Sequence, residues 1–82
     1  MQVHIKYFAS IREAIGQATE QRETAATTLG SLRDELLAAG PAYACLARGK
    51  AVRMALGQVM SDESTALVAG CEVAFFPPVT GG

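Results

Sequence analysis

Between Gln2 and Phe8 the chain alternates, with Val3, Ile5 and Tyr7 on one side and His4, Lys6 and Phe8 on the other, which is the period of a half-buried strand. Ser10-Ile11-Arg12-Glu13 has the spacing of a capping box, in which the serine and glutamate satisfy free backbone donors. Ile11, Ala14 and Ile15 then share one helical face, and Gly16 closes this short helix. The polar, Thr-rich stretch Thr19 to Thr27 alternates weakly, as an edge strand with a wet outer face does. Thr28 is placed to cap a longer helix. In it Leu29, Leu32, Leu36 and Ala39 form one stripe, Arg33, Asp34 and Glu35 point elsewhere, and Gly40-Pro41 stops it.

Pro41 to Lys50 reads as a short helical turn and a loop, after which Val52, Met54 and Leu56 alternate with Arg53 and Ala55 as a third strand. Gly57-Gln58 is a turn, Val59-Met60 a brief strand, Ser61 to Thr65 a polar loop, and Gly70-Cys71 turns the chain into a last strand, Glu72 to Phe76. The order predicts an α+β roll, one mixed sheet packed on one principal helix. Placing the first and last strands centrally and parallel leaves the polar second strand at an edge. The expected core is Val3, Ile5, Tyr7, Leu32, Leu36, Met54, Leu56, Val73 and Phe75.

Size and charge narrow what such a fold does. With 82 residues the chain has one modest core, and a deep pocket cut into it would remove much of a net stability of only ~5–15 kcal/mol. Function is therefore expected on a surface or an end. Seven basic and eight acidic side chains are spread along the chain, giving a net charge of −1 and no basic stripe for phosphate backbones, so nucleic acid is not an expected partner. No apolar run approaches the ~20 residues that span a bilayer, and the first residues lack the order of a signal peptide, which predicts no membrane association and a cytoplasmic location.

The two cysteines, Cys45 and Cys71, fit neither a paired metal-ligand spacing nor a Cys-x-x-Cys, and both read as reduced thiols. Cys45 reads as a small hydrophobe in an Ala-rich segment, and Cys71 as a turn residue with no basic neighbour to activate it. The single histidine, His4, has no nucleophile or carboxylate at a recognisable spacing and reads as a surface strand residue. Arg12, Arg48, Lys50 and Arg53 read as solvated charges. Neither a metal nor a bound cofactor is expected.

The ending carries the strongest chemical signal. Phe75-Phe76 is followed by Pro77-Pro78, then Val79-Thr80-Gly81-Gly82. The division expected is a domain over 1–76 and an extended tail over 77–82. Prolines donate no backbone hydrogen bond and hold an extended conformation, so they end sheet pairing and project the last residues away from the body. Thr80 to Gly82 reach roughly 10 Å, and two glycines carry no side chain to obstruct a narrow channel in another protein. Loose small-residue tails are common and usually idle, but a rigid spacer directly after an apolar strand has no use in a frayed end. A carboxylate is thus deliverable into a partner's active site.

With this ending, the preceding Glu72-Val73-Ala74, and Tyr7-Phe8-Ala9 with Arg12-Glu13 near the start, the chain resembles the small subunit of molybdopterin synthase, over essentially its whole length. It departs from that family at Gly57 and Cys71, where Asn and Asp are expected, both in turns. The resemblance implies a ubiquitin-like β-grasp fold and a covalent cycle on Gly82. A ubiquitin-activating-like adenylyltransferase uses ATP to adenylate the carboxylate, and sulfur replaces the adenylate to give a thiocarboxylate. It further implies that the tail enters the large synthase subunit, where sulfur passes to a cyclic pyranopterin precursor, in a heterotetramer whose small chain alone is inert. The logic is independent of the family: a carboxylate is a poor electrophile, an acyl-adenylate has a good leaving group, and a thiocarboxylate is a soft nucleophile.

Under this reading Gly82 is the reacting residue and Gly81 allows passage. Pro77, Pro78, Val79 and Thr80 meet the partner along the tail, and Phe8, Phe76 and Met60 form an apolar docking patch beside its root. The competing role for each aromatic is to close the end of the core. Three other functions use the same sequence: a carrier for thiamine or thiolated-nucleoside synthesis, a protein modifier joined to lysines through its terminus, and a binding module with an idle tail. Phe75-Phe76-Pro77-Pro78 argues against the first.

Overall fold

The computed structural model describes residues 1–78. Its elements run β1 (Gln2–Tyr7), α1 (Ala9–Ile15), β2 (Thr19–Glu23), α2 (Leu29–Ala39), two 3-10 segments (Pro41–Leu46 and Arg48–Lys50), β3 (Arg53–Leu56), β4 (Val59–Ser61) and β5 (Glu72–Phe76). The five strands form one sheet in the order β2-β1-β5-β3-β4. β1 and β5 are parallel neighbours, with Ile5 opposite Val73 and Tyr7 opposite Phe75; the other pairs are antiparallel. This is the mixed-sheet β-grasp expected of the sequence, with polar β2 at one edge. No helix among the described residues is long and apolar enough to cross a membrane.

The core lies between α2 and the inner face of the sheet. Val3, Ile5, Tyr7, Leu29, Leu32, Leu36, Leu46, Val73 and Phe75 are fully buried, and Met54 nearly so. Leu56 is only partly covered, and Ala39, at the end of the α2 stripe, is exposed. Each fully buried Leu, Ile or Phe removes enough apolar surface from water to contribute ~1.5–3 kcal/mol. Tyr7 stacks on Phe75 with ring centroids 6.1 Å apart, closing the core at the end from which the tail leaves.

Two local expectations are corrected. Ser10 and Glu13 form no capping box: α1 starts at Ala9, its N-cap is Phe8, and no side chain caps it. The chain leaves β1 so sharply that Ala9 takes a left-handed φ of 51°, and the Phe8 carbonyl already accepts from the amides of Ile11 and Arg12. Ser10 is thus inside the first turn. The reciprocal cap occurs instead on α2, where the Thr28 hydroxyl accepts from the Ser31 amide and the Ser31 hydroxyl from the Thr28 amide. Arg33, expected to point outward, is only 4% exposed. It lies over the sheet with a guanidinium nitrogen 3.6 Å from the Met54 sulfur.

A polar staple ties the edge strand to the helices. Glu20 accepts from the hydroxyls of Tyr7 (2.9 Å) and Tyr43 (2.8 Å). Arg22 bridges Glu20 and Glu35, and Glu35 also accepts from the Thr24 hydroxyl at 2.7 Å. Burial, followed by the bond to Glu20, pushes the Tyr7 hydroxyl pKa far above its ordinary value, so it stays a donor.

Candidate functional site

Parallel pairing of β1 with β5 brings the ends of both strands to one rim of the sheet, and there the Phe8 amide donates to the Phe75 carbonyl at 3.1 Å. Because side chains alternate across a strand, Phe75 points into the core and Phe76 out of it. Phe76 meets Phe8 edge to face, the ring centroids 6.4 Å apart and the planes at 83°, a favoured aromatic geometry. Phe8 remains 45% exposed and Phe76 half-buried. The two aromatics therefore form one surface feature at the root of the tail.

The rest of that face is set by register. Arg53 lies opposite Phe76, Ala55 opposite Ala74, and Met60 opposite Ala55. The small side chains of Ala74 and Ala55 make a floor between Phe76 and Met60, which is 55% exposed. At the far end of the face Lys6 pairs with Glu72 at 3.1 Å. An open apolar strip of this kind, bounded by charge, has the make-up of a docking surface rather than of a catalytic centre. Among the described residues there is no group of three or more metal-ligating side chains.

Pro77 is half-buried and Pro78 exposed as the chain leaves β5. Val79, Thr80, Gly81 and Gly82 lie outside the described residues. Both prolines wall a surface recess of about 530 Å³, whose other lining includes Ile11, Ala14, Cys45, Lys50 and Val52. Sequence reading missed this recess because its walls come from α1, the 3-10 segments and the approach to β3, which no local pattern links. Cys45 faces it half-buried, and burial raises its thiol pKa, with Lys50 pulling weakly the other way. Arg48, read as a solvated charge, is exposed and joins Asp34 to Glu63 at the surface.

The sequence model of the ThiS family matches residues 5–82, through the terminal glycine pair. The chain belongs to the ThiS family. This ThiS-family chain is 37% identical to the molybdopterin synthase sulfur carrier subunit of Haemophilus influenzae, an alignment covering 98% of this chain and 99% of that one. It is 35% identical to the protein of the same name from Escherichia coli, with the same coverage. Among solved structures, small archaeal modifier protein 1 of Haloferax volcanii aligns with a TM-score of 0.80 at 26% identity, over 95% of this chain and 98% of that one. A chain from the complex of subunits 1 and 2 of the molybdopterin-converting factor of Helicobacter pylori aligns at 0.72 and 25% identity, over the whole of both. A similar fold is thus found both in a molybdopterin-converting-factor complex and in a small archaeal modifier protein.

Proposed function

We propose that this chain is the sulfur carrier subunit of a molybdopterin synthase, with a thiocarboxylate on Gly82 as its working group. The observation that carries this reading is the full-length match to relatives named as that subunit, within a family whose model runs to residue 82.

An ATP-dependent, ubiquitin-activating-like adenylyltransferase activates the tail. An oxygen of the Gly82 carboxylate attacks the α-phosphorus of ATP and pyrophosphate leaves. A sulfur nucleophile then displaces AMP at the carbonyl carbon, giving the thiocarboxylate. Inside the large subunit this sulfur attacks an oxygen-bearing side-chain carbon of the cyclic pyranopterin precursor, the carbon–sulfur bond forming as the carbon–oxygen bond breaks and the oxygen leaves; hydrolysis of the acyl–sulfur bond then returns Gly82 as a carboxylate, and a second charged carrier supplies the second sulfur of the dithiolene in the same way. The carrier's own contribution is delivery: Phe8, Phe76 and Met60 dock, Pro77 and Pro78 aim the tail, and Val79 to Gly81 thread the channel. The carrier holds no cofactor, works in the cytoplasm, and pairs with a large-subunit dimer as a heterotetramer.

Reconstitution with the large subunit and the precursor tests the reading. The thiocarboxylate form is expected to yield the dithiolene product and the carboxylate form none. Absence of product from the thiocarboxylate form removes the molybdopterin assignment.

The likeness to a small archaeal modifier protein favours one second reading, conjugation of Gly82 to lysines of other proteins. Denaturing mass spectrometry separates the two: carriage adds the mass difference between sulfur and oxygen to the free chain, whereas conjugation produces covalent ladders stable to thiols.

A further inference from the structure

The recess beside the tail is unlike the open strip around Phe76. Ile11 and Ala14 of α1, Cys45 of the 3-10 segment, Val52 and Pro77 give it apolar walls, and among the described residues Lys50 is its single charged lining residue. Lys6, Arg22 and Arg48 are each joined to carboxylates of this chain, whereas Lys50 makes no ion pair among the described residues. Lys50 is exposed at the mouth of the recess, beside the apolar walls.

Position determines what happens to this recess in a complex. Pro77 and Pro78 are both part of its wall and the start of the tail, so a protein that takes in the terminus meets the rim of the recess. A closed apolar space left empty forfeits packing on every wall. Covering Lys50 without a counter-charge leaves a desolvated cation unpaired, which is more costly still.

We propose that the recess receives an apolar side chain of the tail-binding partner, accompanied by a carboxylate from the same partner segment that pairs with Lys50. This deepens the carrier reading and rests on it: the partner is the protein that takes in the tail, and the added content is an acidic, apolar segment seated beside that tail.

Calorimetric titration of the full chain with the molybdopterin synthase large subunit from the same organism tests this. Ala44 also lines the recess and is exposed; Ala44→Trp fills the recess and is expected to weaken binding about tenfold or more, since anchors that occupy pockets dominate interfaces. Lys50→Ala is expected to weaken it about three- to tenfold at low salt and to converge on the wild type at high salt. Gln21→Glu, on the β2 edge, changes the net charge by the same single unit and is expected to bind as the wild type does. In the complex, alkylation of Cys45 by iodoacetamide is expected to slow, while Cys71, at the opposite end of β5, reacts as before. Should Ala44→Trp fail to fold, Lys50→Ala and the Cys45 labelling decide. Unchanged affinity in the recess variants, with Cys45 labelled at its free rate, overturns the inference and leaves the carrier reading standing. A wild-type chain that does not bind the large subunit removes both. Tighter binding by Lys50→Ala would assign Lys50 to the chain's own terminal carboxylate and also overturns it.

Discussion

Gly30 and Glu63 are packed to the limit of contact: the Gly30 amide donates to the Glu63 carbonyl at 2.9 Å, and a β-carbon at Gly30 would lie 3.0 Å from the Glu63 β-carbon. The loop after β4 is pressed onto the first turn of α2 here, held also by the Leu29 amide on the Thr65 carbonyl at 3.0 Å and by Arg48 across Glu63 and Asp34.

Gly30→Ala therefore goes against ordinary helix propensity. Alanine gains ~0.5–1 kcal/mol inside a helix, but crowding a backbone-anchored neighbour costs ~1–3 kcal/mol. A net loss of about 1 kcal/mol is expected in urea denaturation. A more stable variant would mean that the loop yields.

Phe8→Ala separates docking from folding. The ring touches Phe76 on an exposed face rather than the core, so the thermal midpoint is expected to stay within a few degrees. Affinity for the large subunit, read by calorimetry, is expected to fall about tenfold, as for an exposed aromatic anchor. A large drop in the midpoint would instead assign Phe8 to closing the core.

Acid should weaken the polar staple. Burial alone would raise the Glu35 pKa, but the bonds from Arg22 and Thr24 outweigh it and hold the carboxyl below its ordinary value. A depressed folded value gives stability that is complete above about pH 5 and lost as pH falls through the folded value. Arg22→Gln is expected to be less stable than the wild type at pH 7, with the gap narrowing toward pH 3 in denaturant titrations. A gap independent of pH would show that the Arg22–Glu35 bond contributes nothing through charge.

Arg33→Met is expected to stabilise the fold. Among the described residues the Arg33 Nε is buried without a hydrogen-bond partner, and its Nη2 lies 3.6 Å from the Met54 sulfur. An apolar side chain of similar length keeps the packing and removes the desolvated charge, for a gain of ~1–2 kcal/mol. A lower urea midpoint would show that Arg33 stabilises the fold through contacts with water or backbone.

One alanine added after Gly82 is expected to abolish thiocarboxylate formation, because the reacting carboxylate is moved off its glycine, while the melting curve stays that of the wild type. Mass spectrometry after incubation with the adenylyltransferase, ATP and a sulfur donor reads the first effect. Full charging of the lengthened chain would sink the carrier cycle on Gly82.

Alternation and punctuation made most of the architecture readable. Val3, Ile5 and Tyr7 occupy the core because a period of two leaves them a single buried face. Thr28 caps α2, and Gly16 ends α1 with a φ of 90° that glycine adopts at little cost. The same local logic failed at Ser10, where a sharp exit from β1 overrode a good capping pattern, and at Arg33, where a charged residue in a helix is ordinarily turned to solvent.

The amino-acid order by itself determined the strand and helix periods and carried the motif on which the chemistry proposed for the ending rests, since a glycine pair behind two prolines is a local property that needs no neighbours. Only the tertiary structure decided that Phe8 and Phe76, far apart in the chain, share one surface, and that α1, the 3-10 segments and Pro77 enclose a recess with Lys50 in its wall. Such sites depend on which strands pair and how closely helices approach, and those are settled by the packing of the whole core rather than by any one segment.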